Sequence, residues 1–174
     1  MRIAVLGAGA WGTALAVSAL GRHEVMLWGR DAAQVQAMRG QRCNQRYLPE
    51  VPLPTALQFT DDLSAALQWA TPGLLIVATP MAGLRELLAR VPGSASVLWL
   101  CKGFEASSGE LGHEIARSLR PQSPSGVLSG PSFALEVARG QPTALVAAST
   151  DEALANLAVQ AFHSDSLRVY TSAD

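Results

Sequence analysis

Ile3-Ala4-Val5-Leu6-Gly7-Ala8-Gly9-Ala10-Trp11-Gly12 joins an apolar run to three glycines spaced G-x-G-x-x-G, and this stretch decides the fold. Residues 3–6 read as a buried strand. Leu15 and Ala16 behind Trp11 open a helical pattern that reaches Leu20 and breaks at Gly21. A strand, a tight turn and a helix start in that order form a cradle for a pyrophosphate. Gly7 permits the turn, Gly9 lets the backbone approach the anion without a Cβ in the way, and Gly12 lets the helix pack closely on the strand. The helix N-terminus then offers unbonded N–H groups to the charge. Glycines also collect in turns for conformational reasons alone, so context has to carry the reading. Here a strand precedes the motif, and a second one, 24–28, follows at the spacing of a βαβ unit.

Beyond that second strand come Gly29, Arg30 and Asp31. Asp31 with Gln34 has capping-box spacing, so Asp31 is expected to cap the next helix. In NAD-selective folds an acid near this point takes the ribose 2′-hydroxyl; here a glycine and a fixed cation stand there instead. A guanidinium pairs with a 2′-phosphate and stacks on adenine, so Arg30 favours NADP over NAD. A solvated loop arginine is the competing explanation. Residues 41–54, with Pro49, Pro52 and Pro54, are expected to be irregular.

The remaining chain alternates strands and helices. A short strand spans 57–60, Asp62 caps a helix with Leu63, Ala66, Leu67 and Ala70 on one face, and 74–78 (L-L-I-V-A) is a continuous apolar strand. It ends at Thr79-Pro80, which are placed to border a ligand, and a helix with Leu84, Leu87, Leu88 and Val91 follows. Strand 97–101 delivers Lys102. Ser107 and Glu110 are spaced as a capping box for the next helix. Strand 126–129 feeds Gly130-Pro131-Ser132, where Pro131 suits a first helical position and leaves the N–H groups of residues 132–134 to an anion. Strand 143–148 precedes a helix boxed by Ser149 and Glu152, and a strand at 167–170 closes the series. The pattern predicts an α/β, doubly wound, mainly parallel sheet of about eight strands with helices on both faces. Every candidate ligand group then follows a strand, on one rim.

Composition narrows the function. The chain has 174 residues, 49% hydrophobic and 16% charged, which fits one domain with a substantial core and excludes a polyelectrolyte. A net charge of −1 argues against general nucleic-acid binding. No apolar run is long enough for a membrane span, and no signal-peptide pattern occurs. Cys43 and Cys101 form no C-x-x-C pair, which points to a reducing cytoplasm. His23, His113 and His163 lack metal-ligand spacing, so no metal is expected.

The segments G-A-G-A-W-G-T-A-L-A, L-W-G-R-D, R-C-N-Q-R-Y-L-P, L-W-L-C-K-G-F-E and L-S-G-P-S-F-A-L-E-V occur in order. Together they resemble the N-terminal domain of bacterial NAD(P)-dependent glycerol-3-phosphate dehydrogenases, a Rossmann-type domain. The resemblance runs from Met1 to Asp174. It implies reversible hydride transfer between NAD(P)H and dihydroxyacetone phosphate, giving sn-glycerol 3-phosphate for phospholipid synthesis. It also implies a homodimer for the full-length enzyme. By position, Ala10, Trp11, Arg30 and Ala134 match cofactor contacts. Lys102 matches a lysine beside nicotinamide and substrate, and Gly130 and Ser132 match substrate positions. Members of the family continue into a helical domain carrying the general acid/base lysine, and no residue here matches it. The chain is therefore expected to bind NADP(H) weakly and to turn over little or nothing alone. The alternatives are another Rossmann reductase of a small hydroxy or keto acid, a non-enzymatic nucleotide sensor, or a methyltransferase. The last is disfavoured by Arg30 where such proteins keep an acid for the ribose.

Overall fold

The structure is a computed structural model that describes residues 1–173; Asp174, the last residue of the expected domain, lies outside them. The strands are β1 (Arg2–Leu6), β2 (Glu24–Trp28), β3 (Cys43–Asn44), β4 (Leu48–Pro52), β5 (Gln58–Thr60), β6 (Leu74–Val77), β7 (Ser96–Trp99), β8 (Ser125–Ser129), β9 (Thr143–Ala148) and β10 (Leu167–Ser172). The helices are α1 (Ala10–Ala19), α2 (Ala32–Gln41), α3 (Leu63–Ala70), α4 (Leu84–Arg90), α5 (Gly112–Leu119), α6 (Ala134–Ala138) and α7 (Glu152–Phe162).

Eight strands form one sheet in the order β10-β9-β8-β7-β6-β1-β2-β5. All neighbouring pairs are parallel except β8 with β9. Read from β5, the first six strands by chain order stand 3-2-1-4-5-6, and the winding reverses between β1 and β6. Register puts Leu6 level with Trp28 and Val77, and Val77 level with Trp99. The loops after β1, β2, β6 and β7 therefore leave the sheet in one row.

Period-two alternation divides the core. Ile3, Val5, Leu74 and Ile76 pack with residues of α1, α2 and α7 on one face. Ala4, Leu6, Leu75 and Val77 pack with α3, α4 and α5 on the other. Helices thus cover both faces, as the continuous apolar strands require. Full burial of each Leu or Ile here contributes roughly 1.5–3 kcal/mol.

Several local expectations need correction. Residues 41–54 are not irregular, because β3 and β4 pair as an antiparallel hairpin with a register shift at Cys43/Asn44. Each strand of a two-stranded ribbon has an open edge, so Pro49 and Pro52 are tolerated there. Ser107 and Glu110 cap nothing: α5 starts at Gly112, and Glu114 accepts the Leu111 N–H at 2.8 Å. Asp151, not Ser149, caps α7 through the Leu154 N–H at 3.0 Å, while Ser149 Oγ accepts the Asp151 N–H. Pro131 is not a first helical residue, since α6 begins at Ala134 and holds five residues. Asp31 does cap α2, accepting from the N–H groups of Ala33 and Gln34 at 3.0 and 3.2 Å. The Gln34 side chain, however, completes no box and turns toward the glycine loop.

Candidate functional site at the carboxyl rim of the sheet

The glycine loop sits at the reversal of the sheet order. Gly7 has φ +131°, and a Cβ there would lie 2.7 Å from Ala78 O. At Gly12 a Cβ would lie 1.9 Å from Gly7 O, so α1 rests directly on the turn. Gly9 differs: its Cβ direction has no heavy atom within 4 Å. Two glycines are thus required by the protein itself, and the third borders open space. The Gly9 cap carries no side-chain hydrogen bond, and first-turn N–H groups lack intrahelical partners. Unpartnered N–H groups beside open space suit an anion such as a pyrophosphate.

Around it the rim supplies further groups. Ladder hydrogen bonds continue one residue past the strands, from Gly7 N–H to Trp28 O at 2.9 Å and from Ala78 N–H to Leu6 O at 2.8 Å. At Gly29 a Cβ would meet Val35 Cγ2 at 2.9 Å and Ala8 Cβ at 3.2 Å, so any side chain at this position would have to displace the Val35 methyl group. Arg30 follows it, exposed, with no ion pair or side-chain hydrogen bond among the described residues. Thr79 Oγ1 and Ser132 Oγ are buried polar atoms without a hydrogen-bond partner. Such orphans are uncommon in native interiors, and both here belong to loops on the rim. Pro80 is exposed beside Thr79.

Lys102 is exposed and donates from Nζ to Gly130 O at 3.2 Å, joining the loops after β7 and β8. Gly130 has no space for a side chain, because a Cβ would lie 2.6 Å from Ala144 O. Cys101 Sγ donates to Thr79 O at 3.0 Å, and burial pushes its thiol up to about 11. This cysteine is a packed strand end and not a nucleophile. Ala134 opens α6, buried where α6 meets α1, and Trp11 packs partly buried against the same core. The structure thus brings Gly7, Gly12 and Thr79 into one cluster and Lys102 with Gly130 into an adjoining one. Arg30 stands on the flank beyond β2.

Two supports escape a reading of the sequence. Asn44, fully buried on β3, donates to Ala8 O at 3.0 Å and to Thr13 Oγ1 at 2.8 Å. Gln34 donates to the same Ala8 carbonyl at 2.9 Å. The second support fixes the lysine loop. Arg85 on α4 donates from Nε to both oxygens of Glu105, at 2.8 and 2.9 Å, and from Nη2 to Glu105 and Glu110. Ser108 Oγ also donates to Glu105. The Arg85 and Ser108 hydrogen bonds hold the Glu105 carboxyl down at about 2, and Glu105 and Glu110 raise the Arg85 guanidinium. A bidentate fork of this kind fixes residues 102–111 onto α4. Asn44 lies in the segment R-C-N-Q-R-Y-L-P that the family resemblance includes, but nothing in that segment's expected irregularity marks its amide as a support.

Among the described residues no cluster of three His, Cys, Asp or Glu side chains is arranged to hold a metal. No helix among them is long and apolar enough to cross a membrane.

A 3-2-1-4-5-6 sheet with a glycine turn at its point of reversal defines the Rossmann-type class of nucleotide-binding folds. More narrowly, the family described as NAD-dependent glycerol-3-phosphate dehydrogenase N-terminus matches residues 2–155, and the chain belongs to it. A glycerol-3-phosphate dehydrogenase (NAD(P)+) from Methylibium petroleiphilum is 66% identical over 177 residues, covering 100% of this chain and 53% of that relative. Its counterpart from Leptothrix cholodnii is 58% identical, with 100% and 55% covered. The crystal structure of glycerol-3-phosphate dehydrogenase from Coxiella burnetii superposes with a TM-score of 0.91 at 35% identity, covering 99% of this chain and 54% of that one. The chain spans about half the length of the curated relatives it matches.

Proposed function

We propose that residues 1–174 are the NAD(P)-binding N-terminal domain of a glycerol-3-phosphate dehydrogenase. The whole protein would interconvert dihydroxyacetone phosphate and sn-glycerol 3-phosphate. The observation that carries this reading is the meeting of the glycine cradle, Thr79, Lys102 and Gly130 on one rim of a parallel sheet. A nicotinamide nucleotide held there would supply or accept the hydride at C2 of the substrate.

This chain's residues bind and orient. The backbone at Gly7, Gly9, Ala10, Trp11 and Gly12 receives the pyrophosphate. Arg30 takes a 2′-phosphate, which makes NADP the preferred cofactor and NAD the second. Thr79 and Pro80 border the nucleotide. Ala134 closes the cofactor side where α6 meets α1. Lys102 lies between nicotinamide and substrate, where an ammonium group holds a phosphate or polarises a carbonyl. Gly130 and Ser132 form the substrate wall, the Ser132 hydroxyl being buried without a partner.

On this reading the general acid/base lysine and the opposite wall of the cleft would come from the helical domain that the family resemblance implies. The 174-residue chain alone is accordingly expected to bind NADP(H) with little or no turnover. The full-length enzyme is proposed to be a cytoplasmic homodimer that supplies the phospholipid backbone. The test is oxidation of NADPH by the full-length protein on addition of dihydroxyacetone phosphate, followed at 340 nm. No oxidation with that substrate, together with turnover of a small keto acid, would replace this reading with that of another Rossmann reductase.

A further inference from the structure

The Ala8 carbonyl is held by two side chains that lie outside the first βαβ turn. Asn44 on the hairpin donates to it from Nδ2 at 3.0 Å, and Gln34 on α2 donates from Nε2 at 2.9 Å. The two amides are themselves linked, Gln34 Nε2 lying 3.3 Å from Asn44 Oδ1. Asn44 Nδ2 also donates to Thr13 Oγ1 on α1 at 2.8 Å. A buried amide satisfied at both its ends specifies a single arrangement of what surrounds it.

The peptide joining Ala8 and Gly9 is trans and planar, so its C=O and N–H point in opposite directions. Drawing Ala8 O toward α2 and the hairpin turns the Gly9 N–H the other way. That N–H has no partner among the described residues, and open space surrounds the Cβ direction of Gly9. We propose that Asn44, backed by Gln34, is a positioning residue that aims the Gly9 N–H at the pyrophosphate of a bound dinucleotide. The inference rests on the dinucleotide reading above. Neither side chain needs to touch the ligand. Without them the peptide plane is released to rotate, and rotation exchanges a donor for a carbonyl oxygen facing an anion.

The test uses Asn44→Leu and Gln34→Met, which keep side-chain bulk and remove the amides. Kd is measured by calorimetry on the 174-residue chain for NADPH and for adenosine 2′-monophosphate, which lacks the pyrophosphate. Each variant should bind NADPH about tenfold more weakly, while adenosine 2′-monophosphate stays within about twofold. NADPH affinity within about twofold of the parent in a folded variant overturns the proposal, as do equal losses for both ligands, which would make the network a scaffold only. Should Asn44→Leu not fold, Gln34→Met decides, because Gln34 is only partly buried on its helix. A parent chain that binds no NADPH at all refutes the dinucleotide reading instead, and the two failures are distinct.

Discussion

Gly9→Ala and Gly12→Ala should separate the space reserved for a ligand from the space consumed by packing, within four residues of sequence. At Gly12 the added Cβ would sit 1.9 Å from Gly7 O and 3.1 Å from Ala78 Cβ. Ordinary contact needs ~3.5 Å, so α1 must shift by about 1.5 Å from the turn it rests on. Overpacking of that kind costs ~1–3 kcal/mol. For a domain of this length each kcal/mol lowers Tm by ~2–4 °C, so a drop of ~2–12 °C is expected for Gly12→Ala. At Gly9 the backbone is at φ −79° and ψ −174°, which alanine adopts without strain. No protein atom lies within 4 Å of its added Cβ. The unfolded chain loses freedom, so stability should be unchanged or rise by ~0.4–1 kcal/mol. The methyl group nevertheless occupies the approach to the pyrophosphate. Losing one charge-assisted hydrogen bond there removes ~1.5–3 kcal/mol, or ~10- to 150-fold in Kd. Thermal unfolding without ligand and an NADPH fluorescence titration read the two effects separately. A Gly9→Ala chain that melts and binds NADPH like the parent would refute the assignment of that open space to the cofactor.

Arg30→Ala should weaken NADPH by ~1.5–3 kcal/mol and NADH far less, because only NADPH offers a 2′-phosphate to the guanidinium. Equal losses in parallel titrations would return Arg30 to a solvated loop. In the full-length protein Lys102→Ala should reduce turnover of dihydroxyacetone phosphate by ~10²-fold or more while Tm changes by less than about 2 °C. An unchanged rate removes Lys102 from the site. Glu105 titrates at about 2 in the fold against an ordinary value of 4.5, so its pairing with Arg85 contributes stability that is complete above 4.5 and is lost as pH falls toward 2. Glu105→Gln should therefore be less stable than the parent near pH 7, and the gap should narrow between pH 4.5 and 2; denaturant melts showing a constant gap across that window would place the stabilisation elsewhere.

What could be read in the sequence was local. The buried strands announced themselves as apolar runs, because a parallel strand covered on both faces has no polar side to alternate. Asp31 and Asp62 were legible as caps, since the side chain and the amides it receives are two or three residues apart. The errors came where two local solutions compete. Ser149 and Asp151 both precede α7 and both accept N–H groups; the helix begins after Asp151 because Ser149 Oγ is also drawn to Ser125 O at 2.9 Å, across the sheet. Ser107 and Glu110 had the right spacing for a cap. Arg85 takes Glu110 and, with Ser108, Glu105, so the segment closes on α4 and not into a helix.

The same distinction explains why the candidate site was partly visible. Its candidate ligand residues follow strands, so topology assembles them once the strands are recognised. Its supports come from remote sequence: Asn44 reaches Ala8 across 36 residues and Thr13 across 31, and Arg85 reaches Glu105 across 20. No periodicity marks such pairs, because each is set by where two elements happen to meet. A glycine motif therefore specifies where a phosphate can approach, but not which way the peptide at its centre faces. In this chain the proposed control of that orientation is a buried amide in a hairpin whose prolines alone predict irregular chain.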